Sequence, residues 1–463
     1  MSTTDEDLIN NILSFDSLVS IMTFLPFSTR VVCERVCKHW KEVSLTCNAA
    51  NQTTIGLFSK RFDVEKSSLQ PFCNDPSHKI CFANDCVFAN DEDCVLPVIG
   101  ILSKCPNLKV LHFKCYEEEV FFTEGLENLD KYCPSIEHLS MADDTRGCYI
   151  YKDTITLAKN CSYLRHLQLK FPAEGTYGLL LENIILTKTL YMHYPTIEVL
   201  STNLALNSDN CSILANECKR LEKLSLEGTS ITLEGLALIA TSPYHSLTEL
   251  NVIIEYNAQL SLISQNMDRL RSFHCIISSP DVTNIDCIGN LTGLKTLFLS
   301  IWGQKPVDDQ LIEIMKGCNQ LTSLTVNGEV TDSSLSNLST FCPQIEILEV
   351  AMNSDSKSLS DVTIQKGLLG LNRLKRLALH HCNVSDDGVK MLLASRNPLN
   401  YLRLTCSKNI SLGIIPSFEQ FSSLNTLHVF NVILPLSLLD PFKQVSKDSG
   451  PQLLYPNLVL KFL

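Results

Sequence analysis

Three phrases decide the reading of this chain: Cys105-Pro-Asn-Leu-Lys-Val-Leu-His-Phe113, Cys133-Pro-Ser-Ile-Glu-His-Leu-Ser-Met141 and Cys161-Ser-Tyr-Leu-Arg-His-Leu-Gln-Leu169. Each fits the frame x-x-x-L-x-x-L-x-L with aliphatic substitutes. The frame returns in phrases opening at Tyr194, Cys218, Tyr244, Met267, Leu291, Cys318, Cys342, Leu371, Arg396 and Phe421. Thirteen phased copies, spaced by about 26 residues, form a structural repeat. The closing L-x-L predicts a short strand whose leucines face inward. A capping residue and apolar positions at helical spacing follow: Asp308 before Leu311, Ile314 and Met315; Asp332 before Leu335 and Leu338; Asp386 before Val389, Leu392 and Leu393. One strand and one helix cannot enclose a core, so the units must stack.

Period and frame resemble leucine-rich repeats. Cysteine opens six phrases, at Cys105, Cys133, Cys161, Cys218, Cys318 and Cys342, and Cys382 follows Leu374 by eight residues, which resembles the cysteine-containing subclass. The resemblance implies an α/β fold, a leucine-rich-repeat solenoid curved as a horseshoe with parallel strands inside and helices outside. Thiols phased with the repeat read as small apolar side chains at helix ends, packed into the next unit. Cys73, His78, Cys81 and Cys86 lie close in sequence, but C-x4-H-x2-C-x4-C lacks the C-x2-C knuckle, and no metal site is expected there.

The first fifty residues change period. Leu18, Ile21, Met22 and Leu25 stand at i, i+3, i+4 and i+7, behind Asp16 as a helix cap and ahead of Pro26 as a stop. A second helix is expected from about Ser28 to Val43, with Val32, Val36, Trp40 and Val43 on one stripe. Taken alone, the pair could be a helical cap over the first repeat. The residues themselves resemble an F-box: Leu13-Ser-Phe-Asp16-Ser-Leu18, Ile21, Leu25-Pro26, then Arg35-Val36-Cys37-Lys38-His-Trp40. Ser14 departs from the family, which usually has Pro there.

An F-box directly ahead of cysteine-containing leucine-rich repeats resembles the F-box/leucine-rich-repeat family over the whole chain. That resemblance implies a non-catalytic substrate-recognition subunit of an SCF-type cullin–RING ubiquitin ligase. The F-box would bind the S-phase-kinase-associated adaptor, and through it the cullin and RING subunits. Leu13, Asp16, Leu18, Ile21, Leu25, Pro26, Val36, Cys37 and Trp40 would form the adaptor face or its supporting core. Spacing alone leaves Trp40 open between partner anchor and module core. The expected organisation is the F-box at 1–50, a connecting segment with an irregular first repeat at 51–104, repeats at 105–454 and a C-terminal cap at 455–463. The irregular unit would centre on Cys81 and Phe82, with a helical run from Asp91 to Lys104.

Composition narrows the remaining classes. With 38 Lys plus Arg against 50 Asp plus Glu, the net charge of −12 disfavours a nucleic-acid partner. No apolar window is long enough to span a membrane and no signal peptide opens the chain, so cytoplasm or nucleus is expected. Nucleotide-binding, zinc-protease and hydrolase motifs are absent. No catalytic residue, cofactor or metal is expected, and the competing class is a stand-alone repeat scaffold or inhibitor.

A protein substrate is expected on the concave face. The residues singled out there are Phe298, Trp302, Tyr401, Arg403, His428 and Phe430. Trp302, in a Gly/Pro loop, could be an exposed contact or a plug over the repeat edge. His138 and His166 fall at equivalent outward positions of adjacent strands with His112 diagonal to them, and read as surface histidines. The 33-residue unit from Cys161 to Tyr194 is expected to lengthen its loop.

Overall fold

The computed structural model describes residues 15–23, 40, 42–44, 54–58, 80–81, 107–115, 131, 133–143, 159, 161–170, 178–193, 195–204, 206–243, 246–302, 306–351, 359–395, 397–405, 410–411, 414, 426–429, 452–455 and 458–461. The chain divides into two units, Met1–Ser246 and Leu247–Leu463. Each of the thirteen phrases carries one strand.

In the first unit the strands are β3 (Val110–Cys115), β4 (His138–Asp143), β5 (His166–Lys170), β6 (Val199–Thr202) and β7 (Lys223–Ser230). Each pairs in parallel with the next, and the register sets like on like: Leu111 beside Leu139, then Leu167, Leu200 and Leu224. All five are buried, as are Leu108, Ile136, Leu164, Ile197 and Leu221 at the first leucine position of the frame. Burying each such side chain stabilises by about 1.5–3 kcal/mol. One backbone carbonyl per repeat, from Lys109, Glu137, Arg165 and Glu198, accepts two N–H groups from the repeat that follows. The side chains of that same column alternate in charge. Lys109 pairs with Glu137 at 2.9 Å, and Arg165 reaches Glu137 at 3.9 Å and Glu198 at 2.7 Å.

Two strands precede the first phrase. β1 (Thr54–Phe58) runs parallel to β3 with Ile55 opposite Leu111, and β2 (Ile80–Cys81) pairs with β1. The frame does not reveal β1 because Gln52 stands where the upstream leucine would be. Phe82 and the expected helical run at 91–104 lie outside the described residues. The long unit spends its extra length on a helix rather than a loop: α2 (Gly178–His193) follows α1 (Phe15–Thr23) in the chain. α3 (Ser208–Asn216) and α4 (Leu233–Ala240) then start at Asn207 and Thr232, whose side chains accept N–H bonds from Asn210 and Gly235.

The second unit repeats the scheme in β8 (Glu249–Ile254), β9 (Ser272–Ile277), β10 (Thr296–Ile301), β11 (Ser323–Asn327), β12 (Ile347–Ala351), β13 (Arg376–His380), β14 (Tyr401–Leu404) and β15 (Thr426–Val429). Two buried ladders cross them. One runs Leu250, Phe273, Leu297, Leu324, Leu348, Leu377, Leu402; the other Val252, Cys275, Leu299, Val326, Val350, Leu379, Leu404. β17 (Leu458–Lys461) extends the sheet in parallel from β15. β16 (Gln452–Tyr455) pairs antiparallel with it.

Helical segments fill the other half of each repeat: α5 (Asn257–Asn266), a 3-10 turn Ile285–Asn290, α6 (Asp308–Gly317), α7 (Asp332–Leu335), α8 (Leu338–Phe341), a π-helical turn Thr363–Leu368 and α9 (Asp386–Ala394). They approach to backbone contact. A Cβ on Gly317 would lie 2.0 Å from the carbonyl oxygen of Gly289, so only glycine fits there.

The aspartates at the helix starts are not the caps that the sequence suggests. Thr331 and Ser385, one residue earlier, are the N-caps, accepting from the amides of Ser333 and Asp387. The aspartates instead grip the cap of the following repeat. Asp308 accepts from the amide and hydroxyl of Thr331, at 2.9 and 2.7 Å. Asp332 accepts from the amide and hydroxyl of Ser360 and from both donors of Thr363. Asp361 holds Ser385 and Asp386 holds Ser411 in the same two-point way. One carboxylate thus fixes the hydroxyl that starts its neighbour's helix.

Replacing Asp332 by Ala leaves these donors without their acceptor and should destabilise the second unit by about 1–3 kcal/mol. Asp309, an exposed carboxylate on α6, serves as control, and its change to Ala should stay within about 0.5 kcal/mol. Urea unfolding, with amide exchange read at 360–368, checks both. Equal effects from the two variants would remove the inter-repeat role of Asp332.

Candidate functional site

α1 builds one wall of the N-terminal module. Leu18 and Met22 are buried at 2 % and 1 %, and with Val43 they form a small core against which Val19 and Trp40 pack. Ile21 is 47 % exposed and Phe15 38 %. At about 100° per residue these two sit about 60° to either side of Leu18, so the apolar stripe is wider than the core that covers it. Its centre is spent inside the module, and its margins face solvent. The structure therefore separates residues that the spacing had grouped. Leu18 supports, Ile21 is accessible, and Trp40 is half-buried on the module core. Phe15 was passed over because it precedes the i, i+3, i+4, i+7 set; its distance of three residues from Leu18 was the signal. The structure places position 16 inside the first turn of α1 rather than before it, and the side chain of Asp16 lies outside what is described. Leu13, Leu25, Pro26, Val36 and Cys37 lie outside the described residues.

On the strands, residues between the buried leucines face outward, most of them half-buried, with Ser140 and Ala378 buried. In the first unit this surface is polar. His138 and His166 lie side by side with ring centroids 5.4 Å apart, and Ser140 donates to Gln168 and Ser201 to Glu227, both at 3.0 Å. Burial holds the His166 imidazole below its ordinary range. The side chain of His112 lies outside the described set. Among the described residues no group of three or more His, Cys, Asp or Glu is placed to hold a metal ion.

In the second unit Phe298 stacks on His274 with centroids 3.7 Å apart. Trp302 follows β10, donates its amide to Ile277 and is 69 % exposed, so it does not plug the repeat edge. Tyr401 carries the Arg376 guanidinium 3.8 Å above its ring, and Arg376 donates to Glu349 at 2.6 Å. Arg403, next along β14, pairs in register with Ala378. His428 is on β15 beside Arg403, but its side chain and the whole of Phe430 lie outside the described residues.

An F-box domain model matches residues 6–49, the segment that holds α1 and Trp40. The chain carries an F-box domain ahead of leucine-rich repeats. It is 22 % identical over 309 residues to a transport inhibitor response 1-like protein of Oryza sativa subsp. japonica, covering 60 % of this chain and 49 % of that relative. The chain therefore spans about half the length of the curated relative it matches. Among solved structures it resembles a chain of the yeast Rad7–Elc1 complex, at 16 % identity and a TM-score of 0.48, covering 76 % of this chain and 80 % of the other. The leucine-rich-repeat protein LegL7 of Legionella pneumophila matches at 13 % identity and a TM-score of 0.37, over 59 % of this chain and 93 % of its own. At these scores the likenesses carry no argument about function.

The repeat cysteines of this F-box chain lie in its interior. Cys133, Cys161, Cys218, Cys318 and Cys342 are buried, and Cys382 with them. Cys318 directs its thiol to the carbonyls of Ile288 and Leu291 at 3.4 Å, and Cys342 to that of Met315 at 3.4 Å. These three carbonyls precede their cysteines in the array, while Cys382 also reaches the carbonyl of Thr405 in the repeat that follows. The thiol of Cys318 or Cys342 stands at the C-terminal end of its helix and caps the carbonyls left open on the helical turn before it. Burial pushes the Cys318 and Cys342 thiols up to about 12.

Thiolates are the reactive form, so both should resist iodoacetamide at pH 8 in the native protein and react once it is denatured. Half-buried Cys287 should label first among the described thiols of the second unit. Peptide mapping after timed alkylation checks the order, and early labelling of Cys318 would contradict the packing described.

Proposed function

We propose that the chain is the substrate-recognition subunit of an SCF-type cullin–RING ubiquitin ligase. The F-box would bind the S-phase-kinase-associated adaptor, and through it the cullin and RING subunits. The repeat domain would hold a protein substrate for ubiquitination and proteasomal degradation. The observation that carries this is the F-box match over 6–49 in a module whose core leaves Phe15 and Ile21 on its surface. Large apolar side chains flanking a finished core suit a partner interface, where aromatic and aliphatic anchors contribute most of the binding energy. A terminal cap, by contrast, would bury such side chains on its own repeats.

In this reading the chain performs no chemistry of its own. Its contribution is proximity: holding the substrate on the repeats raises the effective concentration of its lysines near the charged conjugating enzyme. The place of action is cytoplasm, nucleus or both.

The test is co-purification of the full chain with the adaptor for wild type, Ile21→Asp and Leu18→Ala. Ile21→Asp puts a charge on the exposed margin, so the protein should fold normally and bind the adaptor at least about tenfold more weakly. Leu18→Ala hollows the module core, at a cost of about 2–5 kcal/mol, and should lose helicity in the module as well as binding. A folded wild type that does not bind, or an Ile21→Asp variant that binds as well as wild type, would sink this function.

A further inference from the structure

The inner face of the second unit is mixed in chemistry along its strands. At β8 to β10 Glu249, Asn251, Ser272, Thr296 and Ser300 are polar, and a small apolar cluster lies among them. Ile253 lies beside Ile276 in register, Ile276 beside Ser300, and the stacked His274–Phe298 pair stands next to them. Strand alternation puts Trp302 on the same side as Phe298 and Ser300, and it is the most exposed large apolar side chain described. At β11 and β12 the outward residues are the small Ser323, Thr325, Asn327 and Ala351, with Ile347 and Glu349 among them. At β13 and β14 the outward charged residues are Arg376 and Arg403, with the imidazole of His380 beside them. Among the described residues in the outward columns of β12 to β14, Glu349 is the acid, and Arg376 already holds it at 2.6 Å. Arg376 is fixed from the other side by the Tyr401 ring, which pre-orders the guanidinium. The pKa direction of His380 agrees with this layout. Burial first, then the positive charge of Arg403, hold it below its ordinary range, while Glu349 opposes them.

Four strand spacings of about 4.8 Å separate Phe298 on β10 from Arg403 on β14, so the apolar and basic ends lie about 19 Å apart along the sheet, a span that about six extended residues cover. From this we infer that the inner face of the second unit takes an extended segment of a protein partner in which an apolar or aromatic anchor and an anionic group, carboxylate or phosphate, stand about six residues apart. The anchor meets Phe298, Ile276 and Trp302; the anion meets Arg403 and Arg376. At β12 to β14 two arginines stand against one acid, and this local excess selects the occupant. A basic segment would set its charges against Arg376 and Arg403, and a uniformly apolar one would strip water from them without return. The inference rests on the receptor reading above and names the class of segment received.

The experiment immobilises the full-length protein and selects from a random dodecapeptide phage library on wild type, Arg403→Glu, Arg403→Lys and Phe298→Ser. Wild type should enrich Asp or Glu about five to seven residues from an aromatic or aliphatic anchor. Arg403→Glu should lose the acidic preference, Arg403→Lys should keep it and Phe298→Ser should lose the anchor. A resynthesised, fluorescein-labelled peptide should bind Arg403→Glu and Phe298→Ser at least about tenfold more weakly than wild type. A phosphoserine version of the same peptide tells the two anions apart: tighter binding assigns phosphate, equal or weaker binding carboxylate. No enrichment, enrichment without acidic bias, an acidic bias that survives Arg403→Glu, or an equal loss in Arg403→Lys would overturn the inference. Adaptor binding measured on the same preparations should be unchanged in all four proteins. A failed selection with intact adaptor binding therefore refutes the segment class alone, whereas lost adaptor binding in wild type refutes the receptor.

Discussion

Every repeat in this chain obtains its interior from its neighbours. A strand of four to eight residues and a short helical segment enclose nothing, so the leucines of one unit are dry only because those of the units on either side lie against them. The hydrophobic ladders fix which positions meet, but apolar contact is non-directional and would tolerate sliding. Register is set by polar links that recur with the same period. A single carbonyl accepts two amides from the next repeat, the helix-end thiol points at carbonyls of the previous one, and the aspartate at a helix start holds the next repeat's cap by amide and hydroxyl together. The aspartate is the most directional of these. It acts on the residue that nucleates the neighbouring helix, so helix formation in one unit depends on the unit before it.

That division of labour explains which parts of the fold were legible beforehand. Leucine spacing declares itself because a strand alternates with period two, and thirteen of thirteen phrases carry their strand. Asp308, Asp332 and Asp386 were seen but given the wrong task, since an aspartate at a helix start satisfies the capping pattern equally well whether it serves its own helix or the next. The two are distinguished by the hydroxyl residue in front, Thr331 or Ser385, together with a partner hydroxyl such as Ser360 or Ser411 some 25–28 residues on. β1 went unseen because its rung lacks the upstream leucine, and the charge ladder through Lys109, Glu137, Arg165 and Glu198 because those pairs lie a full repeat apart.

The N-terminal module shows the same limit from another side. Periodicity recovered the stripe on α1 but not its division into centre and margins, which depends on the width of whatever packs against it. Val43 and Trp40 cover Leu18 and Met22. Ile21 and Phe15 stay exposed on the margins of the stripe. Exposure of this kind is costly to a protein with nothing to place there, and it is why the adaptor reading weighs on two side chains rather than on the whole list of matched positions.

On the repeats the relation between constraint and freedom is reversed. The residues that hold the array together face inward or lie at helix ends, leaving three outward columns per strand that stability hardly restricts. In the first unit these columns are spent on hydrogen bonds between rungs, Ser140 to Gln168 and Ser201 to Glu227, which satisfy the surface internally. In the second unit the same columns place an apolar cluster, Ile253, Ile276 and Phe298, on β8–β10 and two arginines on β13–β14, an order that the stacking physics does not require. Local pairing accounts for Glu349 with Arg376 and for Arg376 on Tyr401. It does not account for a tryptophan at 69 % exposure on the same face. An arrangement that folding neither needs nor rewards points to something outside the chain, and its polarity along the strands is the form such a constraint takes when the thing recognised is itself a linear segment.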